Sequence, residues 1–438
     1  MSFLISDFGI VTLVFLVAAY FICAQMFTLG AMSLPCMMLL TSFIYFYVMP
    51  ALAFADNHAE FMGLYIFSLE WPLLAVGIYA VSAVAACYVC RHRLVTSPAQ
   101  PRPTDRLMNE RVLLLLTAIV VLSVVALIAL GRLNPLGGEK VEWAEDATRL
   151  KFVNLFLTMT IPLTLVYLIR YDFGPLSLLV LALTGLILLV SGFRYRLIFL
   201  LFGITAAYVL VRGIRVRTAF VLTASSLGVL FTNFMVNARN PGSGLEFSRI
   251  ADMSWLDILK SFGGEVGPLF SFSIIADHPI PTFYYLDPWT IGIARLVPTY
   301  IWPDKPTADY LIVAAQIFPQ DAVSAGVAIP QHVEILLQFG WLGLLFVPFL
   351  YFVVAARILD RLSRLGLEAR ITAYSLVPIF FGFFMQTRGY FAQILADALF
   401  TFGPLPLLYA FSKRPIVGWR LSALRRRQTP SWQTRQSP

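Results

Sequence analysis

The chain has 438 residues, 59% of them hydrophobic and only 13% charged, with a mean hydropathy of +0.79. Apolar runs of membrane-spanning length recur throughout, which excludes a soluble domain and points to an all-α polytopic membrane protein. The net charge of +8 does not indicate nucleic-acid binding, because the basic residues punctuate apolar runs and form no single patch.

The N-terminus, MSFLISDFG, carries no Lys or Arg and no small-residue cleavage site, so the first apolar run is expected to be a retained helix. Runs bounded by charges or Pro/Gly clusters predict about eleven spans, at 8–27, 31–54, 64–90, 112–131, 152–169, 175–193, 197–211, 218–236, 333–356, 371–387 and 390–411. The predicted organisation is therefore a transmembrane part over 1–236, a long non-spanning segment over 237–332, a second transmembrane part over 333–411 and a basic tail over 412–438. The four cysteines all lie in apolar runs. Cys87 and Cys90 form a C-x-x-C without flanking strands or metal-ligand histidines, so packing is the expected role, and no metal site is predicted.

Orientation follows from arginine and lysine. The segments 91–111, 170–174, 212–217, 357–370 and the tail hold 20 of the 32 Lys/Arg. With eleven spans they all fall on one side, which the positive-inside rule makes cytoplasmic, with the N-terminus outside. The opposite side then receives 237–332, which is rich in Pro, Gly and Trp. Within it, Ser254 can cap a helix presenting Trp255, Leu256, Ile258, Leu259 and Phe262 on one face, suited to lying on the outer membrane surface.

SGFRYRLIF, 191–199, sets Arg194 and Arg196 in an expected outer turn before span seven. Fifteen residues give that span roughly 22 Å of helix at 1.5 Å per residue, short of the hydrocarbon thickness. Arg388 poses the same problem at the end of span ten, and Arg239 and Arg295 also sit on the outer side. A lone cation there snorkels or pairs with a carboxylate. Several together point to an anion cavity, and at that depth the anion is a phosphate or diphosphate on a lipid. Asp397, inside the last span, must find a donor, and an arginine of the cavity is the expected one.

IPQHVEILLQFGWLGLLFVPFLYF, 329–352, places His332 before a helix containing Gly340 and Gly343. It resembles the motif of the O-antigen ligase and polymerase superfamily, which carries a His before a glycine-containing helix after a large periplasmic loop. SGFRYRLIF is similar to the arginine turn of these proteins. LVPTYIWPDKP, 296–306, looks like the PRxxWPxKP-type segment of oligosaccharide repeat-unit polymerases (Wzy type), with Thr299 and Tyr300 where a basic residue is expected and Arg295 in its stead. The resemblance implies a GT-C-type glycosyltransferase of the bacterial inner membrane with a periplasmic active site, needing no cofactor, nucleotide sugar or metal. Its donor and acceptor would be undecaprenyl-diphosphate-linked oligosaccharides, and a chain-length regulator protein is an expected partner.

Such a reaction needs stabilisation of the leaving diphosphate and a base for the acceptor hydroxyl. Arg194, Arg196, Arg295 and Arg388, with Arg239 and Lys305, are the candidates for the first role. His332 is the candidate base and Glu334 the runner-up. A capping or phosphate-binding His332, and a Glu334 that merely neutralises an arginine, are the plainer alternatives. Tyr284, Tyr285, Trp289 and Trp302 suit stacking on sugar rings, although an interfacial aromatic belt has the same sequence pattern. The rival functions are an O-antigen ligase acting on lipid A core, a polysaccharide flippase, and a sensor or scaffold without catalysis.

Overall fold

The computed structural model describes residues 7–27, 32–48, 60–61, 64–65, 70–94, 105–129, 155–190, 194–212, 239–240, 244–245, 287–297, 301–304, 330–387 and 391–410. Helices dominate them. In chain order they are α1 (Asp7–Met26), α2 (Leu34–Phe43, prolonged by a π-helical turn Ile44–Val48), α3 (Glu70–Val89), α4 (Glu110–Ala129), α5 (Thr160–Arg170), α6 (Pro175–Val190), α7 (Arg194–Arg212), α8 (Asp287–Arg295), α9 (Gln331–Ser363), α10 (Leu367–Ile379), α11 (Phe391–Phe402) and α12 (Pro404–Ala410). Two antiparallel hairpins of two-residue strands join them: β1 (Glu60–Phe61) with β2 (Leu64–Tyr65), and β3 (Arg239–Asn240) with β4 (Gly244–Leu245).

Among the described residues, five helices are long and apolar enough to cross a membrane: Gly9–Met26, Trp71–Val89, Glu110–Ala129, Gln331–Ser363 and Leu367–Thr387. Leu34–Val48, Leu155–Arg170, Pro175–Leu188 and Ile394–Ala410 are shorter apolar helices. All but one of the predicted spans therefore coincide with a helix, and 218–236 lies outside the described residues, as does the predicted surface helix at 254–262. Side chains such as Leu114, Leu122, Leu176 and Leu186 are exposed on α4 and α6, as suits helices that face lipid.

The centre of the assembly is α10. Every residue from 369 to 382 is buried, and the helix continues through a π-helical turn at Phe380–Phe384 to Met385–Thr387. Polar contacts show that the arginine-rich segments meet at one end. The buried Arg370 guanidinium donates to both carboxylate oxygens of Asp105 at 2.9 Å. Arg170 bridges Glu110 at 2.7 Å and Glu368 at 3.2 Å, and the Tyr409 hydroxyl donates to Glu368 at 3.0 Å. Backbone bonds Asn109 N–H to Leu408 C=O and Arg106 N–H to Leu365 C=O close the same cluster. Arg212 approaches Asp172 within 3.5 Å. Segments far apart in sequence, grouped there by charge alone, are thus neighbours in space.

The stretch Gln331–Ser363 is not one rod. Gly340 has φ 65° and ψ −163°, a backbone conformation closed to side-chain-bearing residues. A Cβ built on Gly343 would lie 3.1 Å from Ile335 Cγ2 and 3.3 Å from the Ile335 carbonyl oxygen. In a straight helix those positions are about 12 Å apart along the axis. Likewise Gln331 and Phe352 both touch Tyr79, although a straight helix would separate them by roughly 31 Å. The chain therefore turns sharply back at Gly340. Residues 331–339 form an inner arm packed beside the outer helix 341–363, and it is the latter that has spanning length.

Candidate functional site

The inner arm carries Gln331, His332, Glu334 and Gln338, and all four are buried. His332 was expected at the mouth of a span. The turn at Gly340 instead brings it into the protein interior, edge-on to Phe46 at 4.9 Å and to Tyr79 at 6.5 Å between ring centres.

Glu334 accepts the Phe391 N–H with both carboxylate oxygens at 3.0 Å. Phe391 is the first residue of α11, so the carboxylate occupies the positive end of that helix and satisfies one of its orphan donors. No local spacing signals this role, because the helix start lies 57 residues away.

Arg196 and Asp397 form the second polar node. The structure puts Arg196 inside the first turn of α7, which begins at Arg194, and not in a connecting turn. The 19-residue helix runs roughly 28 Å, which removes most of the shortfall expected for span seven. Its Nη2 lies 4.0 Å from Asp397 Oδ1, and each side chain is 3% exposed. The Thr158 hydroxyl donates to the same oxygen at 3.4 Å. Asp397 thus has the arginine partner that its position in an apolar helix demanded. It stands six residues beyond Phe391, roughly 9 Å along α11, so one helix carries both nodes.

Around them is an aromatic wall. Trp289 of α8 stacks on Phe391 at 4.2 Å and faces Tyr351 at 6.0 Å, while its indole N–H donates to Gln338 Oε1 at 3.3 Å. One face of the Trp289 ring is therefore taken by protein. Trp302 is exposed. The Tyr79 hydroxyl donates to Gln331 Oε1 at 2.5 Å, and Gln386 and Ser42 are hydrogen-bonded at 2.5 Å on the adjoining helices.

Among the other sequence-predicted residues, Arg295 is the last residue of α8 and Arg239 lies in β3. Arg388, Lys305, Tyr284 and Tyr285 lie outside the described residues. The described site thus unites His332, Glu334, Arg196 and Trp289 from the sequence reading with Gln331, Gln338, Tyr79, Tyr351, Thr158 and Asp397. The signal for the glutamines was present: in QHVEILLQ, Gln331, Glu334 and Gln338 recur at i, i+3 and i+7, one face of a helix. No group of His, Cys, Asp and Glu capable of holding a metal ion occurs among the described residues.

Comparison of the chain with protein-family models, with curated proteins and with solved structures finds no match.

Proposed function

We propose that the protein is a metal-independent membrane glycosyltransferase that polymerises undecaprenyl-diphosphate-linked oligosaccharides, transferring the growing glycan from its lipid diphosphate to the terminal sugar of another lipid-linked unit. The observation that carries the reading is the inner arm: it brings a His and a carboxylate into the protein interior, where the carboxylate caps α11, the helix whose Asp397 faces the buried Arg196 of α7. Displacement of a diphosphate by a hydroxyl requires an acid–base group for the acceptor proton and a guanidinium for the departing charge. Glu334 or His332 takes the acceptor proton, and Arg196, with Arg194, Arg295 and Arg388 as the further candidates, stabilises charge on the departing diphosphate.

In the finer topology we propose, eleven spans place the arginine-rich cluster in the cytoplasm and the inner arm toward the periplasm of a bacterial inner membrane. Reporter fusions after residues 60, 105, 172, 300 and 365 test it.

The break at Gly340 favours a second reading. Transporters also build substrate sites from interrupted helices, so a carrier of lipid-linked glycan is the competitor. Purified protein in proteoliposomes, given only undecaprenyl-diphosphate-linked repeat units, is expected to yield a glycan ladder without nucleotide sugar or divalent metal. Movement of the lipid-linked unit between leaflets with no ladder would replace the transferase by the carrier.

A further inference from the structure

The mechanism above uses Glu334 and His332 but not the two glutamines that flank Glu334 on the same helix face. Gln331 and Gln338 are at most 1% exposed, and neither Nε2 meets an acceptor among the described residues. The orientation of Gln338 is fixed, because the indole N–H of Trp289 can only donate and so holds the carbonyl oxygen toward itself. Gln331 has one amide atom engaged by Tyr79 and the other open in either orientation. Leaving a buried amide donor unmet costs about 1–3 kcal/mol, and this short arm does so twice.

From this face we infer a binding site for a neutral, hydroxyl-rich ligand: one or two sugar rings at the acceptor end of a glycan. As an assignment of the acceptor, the inference rests on the transferase reading. The chemistry selects the ligand class. Two amide donors with a carboxylate between them cannot suit a phosphate, which Glu334 would repel, nor a cation, which the amides would oppose. An alkyl chain would leave both donors unmet. A sugar hydroxyl accepts from an amide and donates to the carboxylate, and half-buried Trp289, one face of which rests on Phe391, supplies a flat apolar ring of the kind that sugar rings cover. Gln331 and Gln338 are seven residues apart, roughly 10 Å of helix, the length of a disaccharide. Binding would bring a hydroxyl to Glu334, whose carboxylate already holds the start of α11.

The test uses the full chain in nanodiscs and the saccharide released from its lipid by mild acid, with inorganic pyrophosphate as the second probe. Ligand-observed saturation-transfer NMR is expected to show saccharide binding, weakened about five- to tenfold in each of Gln331→Leu and Gln338→Leu, one lost amide contact apiece. Each substitution deletes an unmet amide donor but also strands the Tyr79 hydroxyl or the Trp289 indole N–H, so melting of the unliganded variants is measured alongside and binding is compared on folded protein. No binding of the released saccharide, unchanged binding in both variants, or a glutamine-dependent response to pyrophosphate alone would overturn the site. Ladder synthesis undiminished in both variants also overturns it while leaving the transferase standing. Glutamine-dependent saccharide binding with no ladder from the parent protein keeps the site and removes the transferase.

Discussion

Arg196 and Asp397 allow a quantitative separation of structure from chemistry. At 4.0 Å, with both side chains 3% exposed, their attraction is about 4 kcal/mol at an effective dielectric of 20. Each charge also carries a desolvation penalty of several kcal/mol, so the pair is self-compensating and does not stabilise the fold much by itself. Arg196→Met strands a buried carboxylate and Asp397→Leu a buried guanidinium, and each should cost about 3–5 kcal/mol. The double variant removes both penalties and should be at least about 2 kcal/mol more stable than either single variant. Reversible unfolding in mixed micelles, followed by circular dichroism, gives the cycle. Additivity within about 0.5 kcal/mol would refute the buried pair. The same double variant then reports on catalysis: folded protein with no ladder supports a role for the guanidinium at the diphosphate, and wild-type ladder removes Arg196 from that role.

Gly340→Ala forces a side chain into φ 65° and is expected to destabilise by about 1–3 kcal/mol, with loss of ladder synthesis, measured by the same unfolding and activity assays. Glu334→Gln keeps an oxygen for the Phe391 N–H and should fold near normally yet lose transfer; full activity would leave Glu334 as a helix cap only. Arg370→Met, at a bidentate pair 0% and 1% exposed, should cost about 3–5 kcal/mol. Arg364→Met should cost under about 1 kcal/mol, because Arg364 is 69% exposed in its pair with Asp360.

Much of the fold was legible in the sequence because lipid imposes a simple rule: a spanning helix must be long and apolar. Hydropathy alone therefore located α1, α3 and α4 to within a few residues at most boundaries, and arginine counts grouped the segments that Asp105, Arg170, Glu368 and Arg370 bind together. Asp397 was legible for the same reason, since a carboxylate in an apolar helix demands a partner. What hydropathy cannot show is direction. An apolar run reads alike whether it continues or turns back, so 329–352 looked like the start of one span. Only Gly340 marked the turn, and a glycine in a membrane helix is too common to be decisive. The capping of α11 by Glu334 was hidden for a different reason: it is a contact between distant segments, and no local spacing encodes it.

The turn at Gly340 changes which residues the chemistry depends on. Polar side chains away from water are tolerated where protein surrounds and satisfies them, and the arm 330–338 is enclosed in this way, with only Leu336 less than fully buried. Holding four polar side chains there costs free energy that apolar residues would not, and the fold recovers part of it by tying Gln331 to Tyr79, Gln338 to Trp289 and Glu334 to α11. The remaining donors on Gln331 and Gln338 are not recovered by any described residue. Leucine in place of either glutamine would strand the Tyr79 hydroxyl or the Trp289 indole N–H, so each glutamine has a structural role in its carbonyl oxygen, while its amide nitrogen has none among the described residues.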